Sequence, residues 1–344
     1  MKHRVTYIAG DGIGPEIGEA TKLVLAATGV DIEFENMFAG QSAIDEGLGF
    51  ALPEETLLSI RANGVAIKGP TATPIGKGFK SANVGMRVAL DLYANIRPVK
   101  NYRGVPSRYS DLNIDMVIFR EATEDIYNGV EKVIGNNGGV EVTGKITEFG
   151  CYRLIDSAFQ YAVRNNRKKV SIAHKANILK EYFGLFLDMG YRVARSYPDI
   201  ICDDFIIDNM CGQLVRNPDK FDVIVATNMF GDIMSDISAE VTGGLGLGPG
   251  ANIGSQYAVF EAIHGTAPDK AGQGIANPCS LILSGAMMLD YLGEEEAATN
   301  VRNAVAKVLE NGIYVTGDIK KVDPCTTHEM ACAIAGHVKA NAKA

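Results

Sequence analysis

The chain has 344 residues, 47% hydrophobic and 22% charged, which is enough apolar material for two domains or one large α/β unit and excludes a fibrous or disordered chain. A net charge of −8 argues against general affinity for nucleic acid or an anionic membrane, so a small anionic substrate needs arginines gathered locally. Six cysteines without a CxxC pair read as reduced thiols, no run reaches transmembrane length and no signal-peptide core follows Met1, so the expected location is cytoplasmic.

Strand and helix patterns alternate along the chain. Residues 4–9 read as a strand, 15–27 as a helix, 32–36 as a strand, 53–63 as a helix and 65–68 as a strand. Further on, 116–120 is a strand, 147–165 an amphipathic helix, 169–173 a strand, 178–189 a helix, 191–196 a strand, 203–215 a helix and 221–227 a buried strand. This βα alternation predicts a mixed or parallel sheet. The β-rich stretches 130–134 and 140–146 flank Asn136-Asn137-Gly138-Gly139, a hairpin turn. A lone hairpin is marginal in water, so it is expected to pack on something, such as its counterpart in a second subunit. The glycine-rich run 243–254 reads as a loop or hinge, and a long helix spans Ser280 to Leu292.

Gly10-Asp-Gly-Ile-Gly-Pro-Glu16 invites comparison with a dinucleotide fingerprint, but Gly14 comes one residue early and Pro15 suits the first turn of a helix. A tight strand-to-helix turn is the preferred reading; the alternative lets Asp11 and Ile13 line a pocket mouth. Asp232 and Asp236 stand one helical turn apart, just after the strand 221–227, where open α/β sheets place ligands. Two like charges at that spacing suit a divalent cation such as Mg²⁺ or Mn²⁺. An acidic first turn favoured by the helix dipole remains the other reading.

Ser81 is a candidate helix cap, and Asn83 and Arg87 share its helix at i, i+4. Arg97 and Arg120 close other predicted segments. Singly each is a surface cation; together in an acidic chain they suggest a polyanion site, because guanidinium grips carboxylate bidentately. Tyr127 follows Arg120, Lys175 ends another predicted strand, and Asp208 is a candidate third metal carboxylate. Asp269 is placed to accept hydrogen bonds from a ribose diol and to repel a 2′-phosphate, favouring NAD over NADP.

Taken in order, the segments Asp-Leu-Tyr-Ala-Asn-Ile-Arg-Pro98, Arg120-Glu-x-Thr-Glu, His174-Lys175-x-Asn177, Asn228-x-x-Gly-Asp232-x-x-Ser-Asp236, Gly-Pro-Gly-Ala-Asn-Ile-Gly254 and His264-Gly-Thr-Ala-Pro268 carry a family resemblance. The chain resembles, over essentially its whole length, the decarboxylating β-hydroxyacid dehydrogenases, that is, the isocitrate and isopropylmalate dehydrogenases, and most of all the NAD-dependent isocitrate enzymes. The resemblance implies a two-domain α/β fold with mixed sheets flanked by helices. Its large domain is discontinuous, 1–98 with 250–344, and its small domain is 99–249 with a dimer hairpin near 128–147. It implies that Arg87, Arg97 and Arg120 clamp the malate-type carboxylates, with Ser81 and Asn83 meeting a third. Asp232 and Asp236 then bind Mg²⁺ or Mn²⁺ with Asp208 of a neighbouring subunit, so the enzyme is a homodimer with shared active sites. Lys175, also reaching across the dimer, resembles the base and Tyr127 the acid. Thr73 and Asn177 are expected to hold the nicotinamide, and His264, Gly265, Thr266, Ala267, Asp269 and Asn277 the adenosine half of NAD.

The implied reaction is oxidation and decarboxylation of isocitrate, a hydroxy-tricarboxylate. Two small polar residues, Ser81 and Asn83, favour it over isopropylmalate and homoisocitrate, and Asp269-Lys270 stands where NADP-linked bacterial relatives carry Lys-Tyr. Ala122, at a place usually held by asparagine, together with Gly85 and Met86, leaves an isocitrate analogue such as a phosphonate-bearing malate derivative as the second reading. A non-catalytic regulatory subunit is the competing class, and the presence of Tyr127, Lys175, Asp208, Asp232 and Asp236 speaks against it.

Overall fold

In the computed structural model, which describes residues 2–74, 78–135 and 138–341, the first strand β1 (His3–Ile8) is buried on both faces from Val5 onward. That is the signature of an inner strand in a parallel sheet. It pairs in parallel with β2 (Ile32–Met37) across helix α1 (Gly14–Ala27), and with β3 (Val65–Lys68) after α2 (Gln41–Asp45) and α3 (Glu54–Asn63). Then come α4 (Ala82–Ala89), β4 (Ala94–Lys100), β5 (Asp115–Glu121), the hairpin β6 (Asp125–Ile134) and β7 (Gly139–Lys145), and α5 (Glu148–Arg164). Next are β8 (Lys169–His174), α6 (Tyr182–Ala194), β9 (Ile201–Ile206), α7 (Ile207–Arg216), β10 (Val223–Ala226) and α8 (Asn228–Thr242). The chain closes with β11 (Pro249–Ile253), β12 (Ala258–Ala262), α9 (Cys279–Tyr291), α10 (Glu295–Asn311) and α11 (Thr327–Asn341).

One sheet of 10 strands, ordered β2-β1-β3-β12-β11-β4-β5-β10-β8-β9, runs through the molecule. The blocks β2-β1-β3-β12 and β5-β10-β8-β9 are internally parallel, and antiparallel pairings of β11 and β4 join them. Apolar packing follows the blocks. Ile17, Phe260 and Leu289 belong to a cluster on one face of the first block, with Ile8, Ile60 and Met86 in another. Phe119, Phe159 and Phe186 lie in a third cluster, and Ile118, Ile224 and Met234 in a fourth. The α/β architecture with a large mixed sheet flanked by helices is as expected.

Three expectations need correction. Residues 191–196 are not a strand: α6 continues to Ala194, because Phe183, Phe186, Met189, Gly190 and Val193 recur at helical spacing on one buried face. The helix expected over 203–215 begins only at Ile207, since Asp203 and Asp204 lie in β9. They are tolerated there because β9 is an edge strand, where carboxylates discourage further pairing, and because Ser171 and His174 of β8 bond to them. The glycine-rich run is loop over 243–248, but Pro249–Ile253 form an inner strand, β11. At Gly248 a Cβ would lie 2.2 Å from Ile263 Cδ1, so glycine there serves close packing. The hairpin forms as expected; Asn136 and Asn137 of its turn lie outside the described residues.

The turn after β1 is the strand-to-helix turn read from the sequence. Gly12 sits at φ +58, where a Cβ would come within 2.0 Å of the Thr266 carbonyl oxygen, and that carbonyl accepts Ile13 N–H at 2.9 Å. The Asp11 carboxylate accepts the amides of Gln41, Ser42 and Ala72 at 2.6–2.9 Å, so Asp11 fastens three segments. Gly12→Ala is expected to cost roughly 3 kcal/mol or more, against about 1 kcal/mol for Gly29→Ala, which has a similar positive φ but open space around it. Urea unfolding of both variants checks the difference.

Candidate active site

Strand register places a row of charged and amide side chains across the join between the blocks. Lys68 of β3 stands opposite Glu261 of β12, Asn252 of β11 opposite Asn95 of β4, and Asn95 opposite Arg120 of β5. Lys68 Nζ and Arg87 Nη2 each lie 2.9 Å from a Glu261 oxygen. Arg87 Nε donates to Asn252 Oδ1 at 2.8 Å, as does Asn95 Nδ2, and Arg97 Nε donates to Asn95 Oδ1 at 2.8 Å. Arg97 then donates to Ser235 Oγ of α8. All three arginines are buried, Arg120 with only 2% of its surface exposed.

Burial opposes ionisation of Glu261, but Lys68, Arg87 and the Asn252 amide overcome it and hold its carboxyl well below the usual carboxylate range. Burial also presses the Arg97 and Arg120 pKa values down, and in Arg120 the neighbouring Arg87 and Arg97 add to it. The guanidiniums repel one another at short range. Such a cluster stores affinity for a polyanion, which relieves the repulsion on binding.

Asp232 and Asp236 face this cluster from α8. Arg120 Nη1 bonds Asp232 Oδ1, Arg97 lies 3.4 Å from the same oxygen, and Tyr127 Oη donates to Asp232 Oδ2 at 2.7 Å. Asp236 is 3.6 Å from Arg97. Their environments push the two carboxyls apart. Burial raises both, but at Asp232 the Arg120 and Arg97 charges and the Tyr127 bond win, and its pKa falls; at Asp236 burial and the Asp232 charge win, and its pKa rises. Burial and the Asp232 bond raise the Tyr127 pKa, so its phenol stays protonated near neutrality.

The hard oxygen donors at Asp232 and Asp236 suit a divalent cation. Among the described residues, however, no group of three His, Cys, Asp or Glu side chains is placed to hold a metal. Lys175 and Asp208 form an ion pair of their own that lowers the Asp208 pKa, and no bond among the described residues joins this pair to Asp232 or Asp236. Within one chain, therefore, the sequence candidates fall into two separate groups.

Around the expected cofactor loop, the His264 ring donates from Nδ1 to the Gly265 carbonyl at 2.9 Å, leaving Nε2 a buried acceptor without a partner. Burial lowers the His264 pKa, so the ring stays neutral, and its bare nitrogen fits an N–H donor such as an adenine amino group. Thr266 and Ala267, the latter at φ +39, lean on the Gly12 turn through the Thr266–Ile13 bond. Asn277 is braced by Asp318 at 2.9 Å and by Cys279 N–H at 3.0 Å. Gly265 and Asp269 are exposed, as are Thr73 and Asn177 on separate segments. Ser81 caps α4 by accepting Val84 N–H, and Asn83 accepts the Thr71 hydroxyl at 2.9 Å.

Residues 4–334 match the family model described as isocitrate/isopropylmalate dehydrogenase. The chain belongs to this family. It is 44% identical over 334 residues to "Isocitrate dehydrogenase [NAD] catalytic subunit 5, mitochondrial" of Arabidopsis thaliana, covering 97% of this chain and 88% of that protein. It is 44% identical over 320 residues to "Isocitrate dehydrogenase [NADP]" of Thermus thermophilus, covering 93% of this chain and 64% of that longer protein. The crystal structure of isocitrate dehydrogenase from Methylococcus capsulatus superposes with a TM-score of 0.95 at 48% identity, covering 98% of this chain and 99% of that one. The family establishes a decarboxylating dehydrogenase that uses a nicotinamide cofactor, and both NAD- and NADP-linked proteins are among these relatives.

Reading the sequence missed the residues that hold the clamp: Lys68, Asn95, Asn228, Ser235, Asn252 and Glu261. Asn95, Asn228, Ser235 and Asn252 lie inside the motifs that carry the family resemblance, and a polar residue within an otherwise apolar inner strand is the signal for Asn95 and Asn252. Glu261→Gln is expected to destabilise the fold by about 3–5 kcal/mol near neutrality, since two buried cations lose their counter-charge. The stabilisation from Glu261 is complete above the unfolded-state pKa of about 4.3 and is lost as pH falls below it, because the folded pKa is depressed. Denaturant unfolding from about pH 7 to pH 3 therefore shows a shallower acid slope in Glu261→Gln than in the parent chain.

Proposed function

We propose that the chain catalyses the metal-dependent oxidative decarboxylation of isocitrate to 2-oxoglutarate with hydride transfer to NAD. The observation that carries this reading is the convergence of Tyr127, Asp232 and Asp236 on the buried arginines Arg87, Arg97 and Arg120. Lys68, Arg87, Arg97 and Arg120 against Glu261, Asp232 and Asp236 leave one positive charge in excess. A divalent cation raises the excess to about three, the charge of a fully ionised hydroxy-tricarboxylate.

Asp232 and Asp236 would hold the cation, with Asp208 supplied by a second subunit. When bound, the cation polarises the substrate oxygen and steadies the enolate, and the nicotinamide accepts the hydride. The arginines grip the malate-type carboxylates and orient the C2–H bond. Ser81, whose oxygen accepts Val84 N–H, and Asn83 meet the third carboxylate. Lys175 of the second subunit takes the C2 hydroxyl proton, and Tyr127, kept protonated by its surroundings, returns a proton to C3 after CO₂ leaves. His264, Gly265, Thr266, Ala267, Asp269 and Asn277 would hold the adenosine half of the cofactor and Thr73 and Asn177 its nicotinamide, and Asp269 would favour NAD by repelling a 2′-phosphate.

A homodimer is part of the proposal. Val130, Val133 and Val140 of the hairpin are 64–72% exposed, an apolar surface that a lone hairpin cannot afford in water. The Lys175–Asp208 pair likewise has no bond to Asp232 or Asp236 among the described residues. We assign 1–98 with 250–344 to a large domain and 99–249 to a small one, a division supported by the grouping of the apolar clusters.

Purified protein offered isocitrate, homoisocitrate, isopropylmalate and a phosphonate-bearing malate, each with NAD or NADP and Mg²⁺ or Mn²⁺, is expected to form reduced cofactor best with isocitrate and NAD. Turnover of another acid but not isocitrate rejects the substrate assignment, and the same comparison between NAD and NADP decides the cofactor. Lys175→Met and Tyr127→Phe are each expected to lower kcat by about 100-fold or more. An unchanged rate in either removes that residue from its role.

A further inference from the structure

Asp125 lies at φ +70, in the left-handed region that a side-chain-bearing residue rarely occupies, and only 4% of its surface is exposed. Its carboxylate has three partners from three elements. Oδ1 accepts the amide of Ile126 at 2.7 Å and the Tyr182 hydroxyl of α6 at 2.9 Å, and Oδ2 accepts the amide of Met229 at 3.1 Å. Met229 is in the first turn of α8, and Thr227, the residue before that helix, makes no side-chain cap bond; its hydroxyl is buried without a partner. Asp125 therefore caps α8 from another element, with its negative charge at the helix N-terminus where the dipole favours it.

A second bond runs alongside. Asn228 Nδ2 donates to the Glu124 carbonyl at 3.1 Å, while Asn228 Oδ1 accepts Arg120 Nε and Nη2 at 3.0 and 2.8 Å. From this double latch Tyr127 is two residues along β6, and Asp232 is three residues along α8. Their 2.7 Å contact thus spans two elements that Asp125 ties together at their roots.

We infer that Asp125 is a positioning residue for the reaction: by capping α8 from the start of β6 it sets the distance between the Tyr127 phenol and the Asp232 carboxylate. The backbone strain at φ +70 turns its side chain back toward the helix. A residue merely filling space needs neither the strained backbone nor three acceptor contacts. This inference rests on the proposed role of Tyr127 as proton donor to C3.

The test uses the full-length protein with the acid it turns over best. Asp125→Gly keeps the backbone conformation and removes the carboxylate; Asp125→Asn tolerates positive φ and keeps one oxygen but not the charge. We expect kcat to fall about 100-fold in Asp125→Gly and about 10-fold in Asp125→Asn, with KM changed less than about threefold in both. Combined with Tyr127→Phe, Asp125→Gly is expected to add less than about a threefold further loss. Hydrogen exchange at the Met229 amide is expected to speed up in Asp125→Gly, a readout independent of turnover.

A folded Asp125→Gly enzyme with kcat within about twofold of the parent overturns the inference, as does a double variant in which the two losses simply multiply. If Asp125→Gly does not fold, Asp125→Asn decides on the same criteria, with undiminished kcat the overturning result. Full turnover in Tyr127→Phe instead overturns the reading of Tyr127 and takes this inference with it. Normal turnover in Asp125→Asn and Asp125→Gly beside a crippled Tyr127→Phe overturns the inference on Asp125 alone.

Discussion

Three guanidiniums withdrawn from water and crowded within reach of each other's charge are the constraint on which this molecule turns. Burying Arg87, Arg97 and Arg120 is costly unless their donors find acceptors, and the structure supplies a line of fixed side chains: Glu261, Asn252, Asn95, Ser235, Asp232 and Asn228. Each belongs to a strand of the central sheet or to α8. A rigid lattice of this kind costs little to reorganise when an anion arrives, which is the physical root of both affinity and specificity.

The join between the two parallel blocks is what makes the lattice possible. β11 and β4 run antiparallel to their neighbours and carry Asn252 and Asn95 directly opposite one another, so residues from the first and second blocks meet in one row. The same arrangement explains Gly248, just before β11, and Gly250 within it, which let the chain approach Ile263. Function and fold are thus coupled at a single seam: the strands that link the apolar clusters also carry the polar groups that orient the clamp.

Much of this was legible from residue patterns. The βα alternation, the Ser81 cap, the Thr147–Asn165 helix, the hairpin and the strand before α8 all follow from local periodicity and turn chemistry. The three arginines stood out as segment-end cations in an acidic chain, Asp232 and Asp236 by their one-turn spacing after a buried strand, and Tyr127 by following Arg120. What failed was decided by tertiary context. Asp203 and Asp204 look like a helix start, and their pairing with the adjacent strand, reinforced by bonds to Ser171 and His174, holds them extended. Gly248 and Gly250 look like a hinge, and only the neighbouring Ile263 shows why a strand needs them small. Glu261 and Asn252 are marked only as polar residues within apolar strands, because the partners that give them a role lie in distant segments.

The central claim, that this buried row receives a cation-bound polycarboxylate, is tested most directly by a crystal structure with isocitrate and Mn²⁺. The account predicts an anomalous manganese peak between the Asp232 and Asp236 carboxylates, completed by Asp208 of a second subunit, with substrate carboxylates on Arg87, Arg97 and Arg120. Manganese bound without Asp232 and Asp236, or isocitrate seated away from all three arginines, would contradict it.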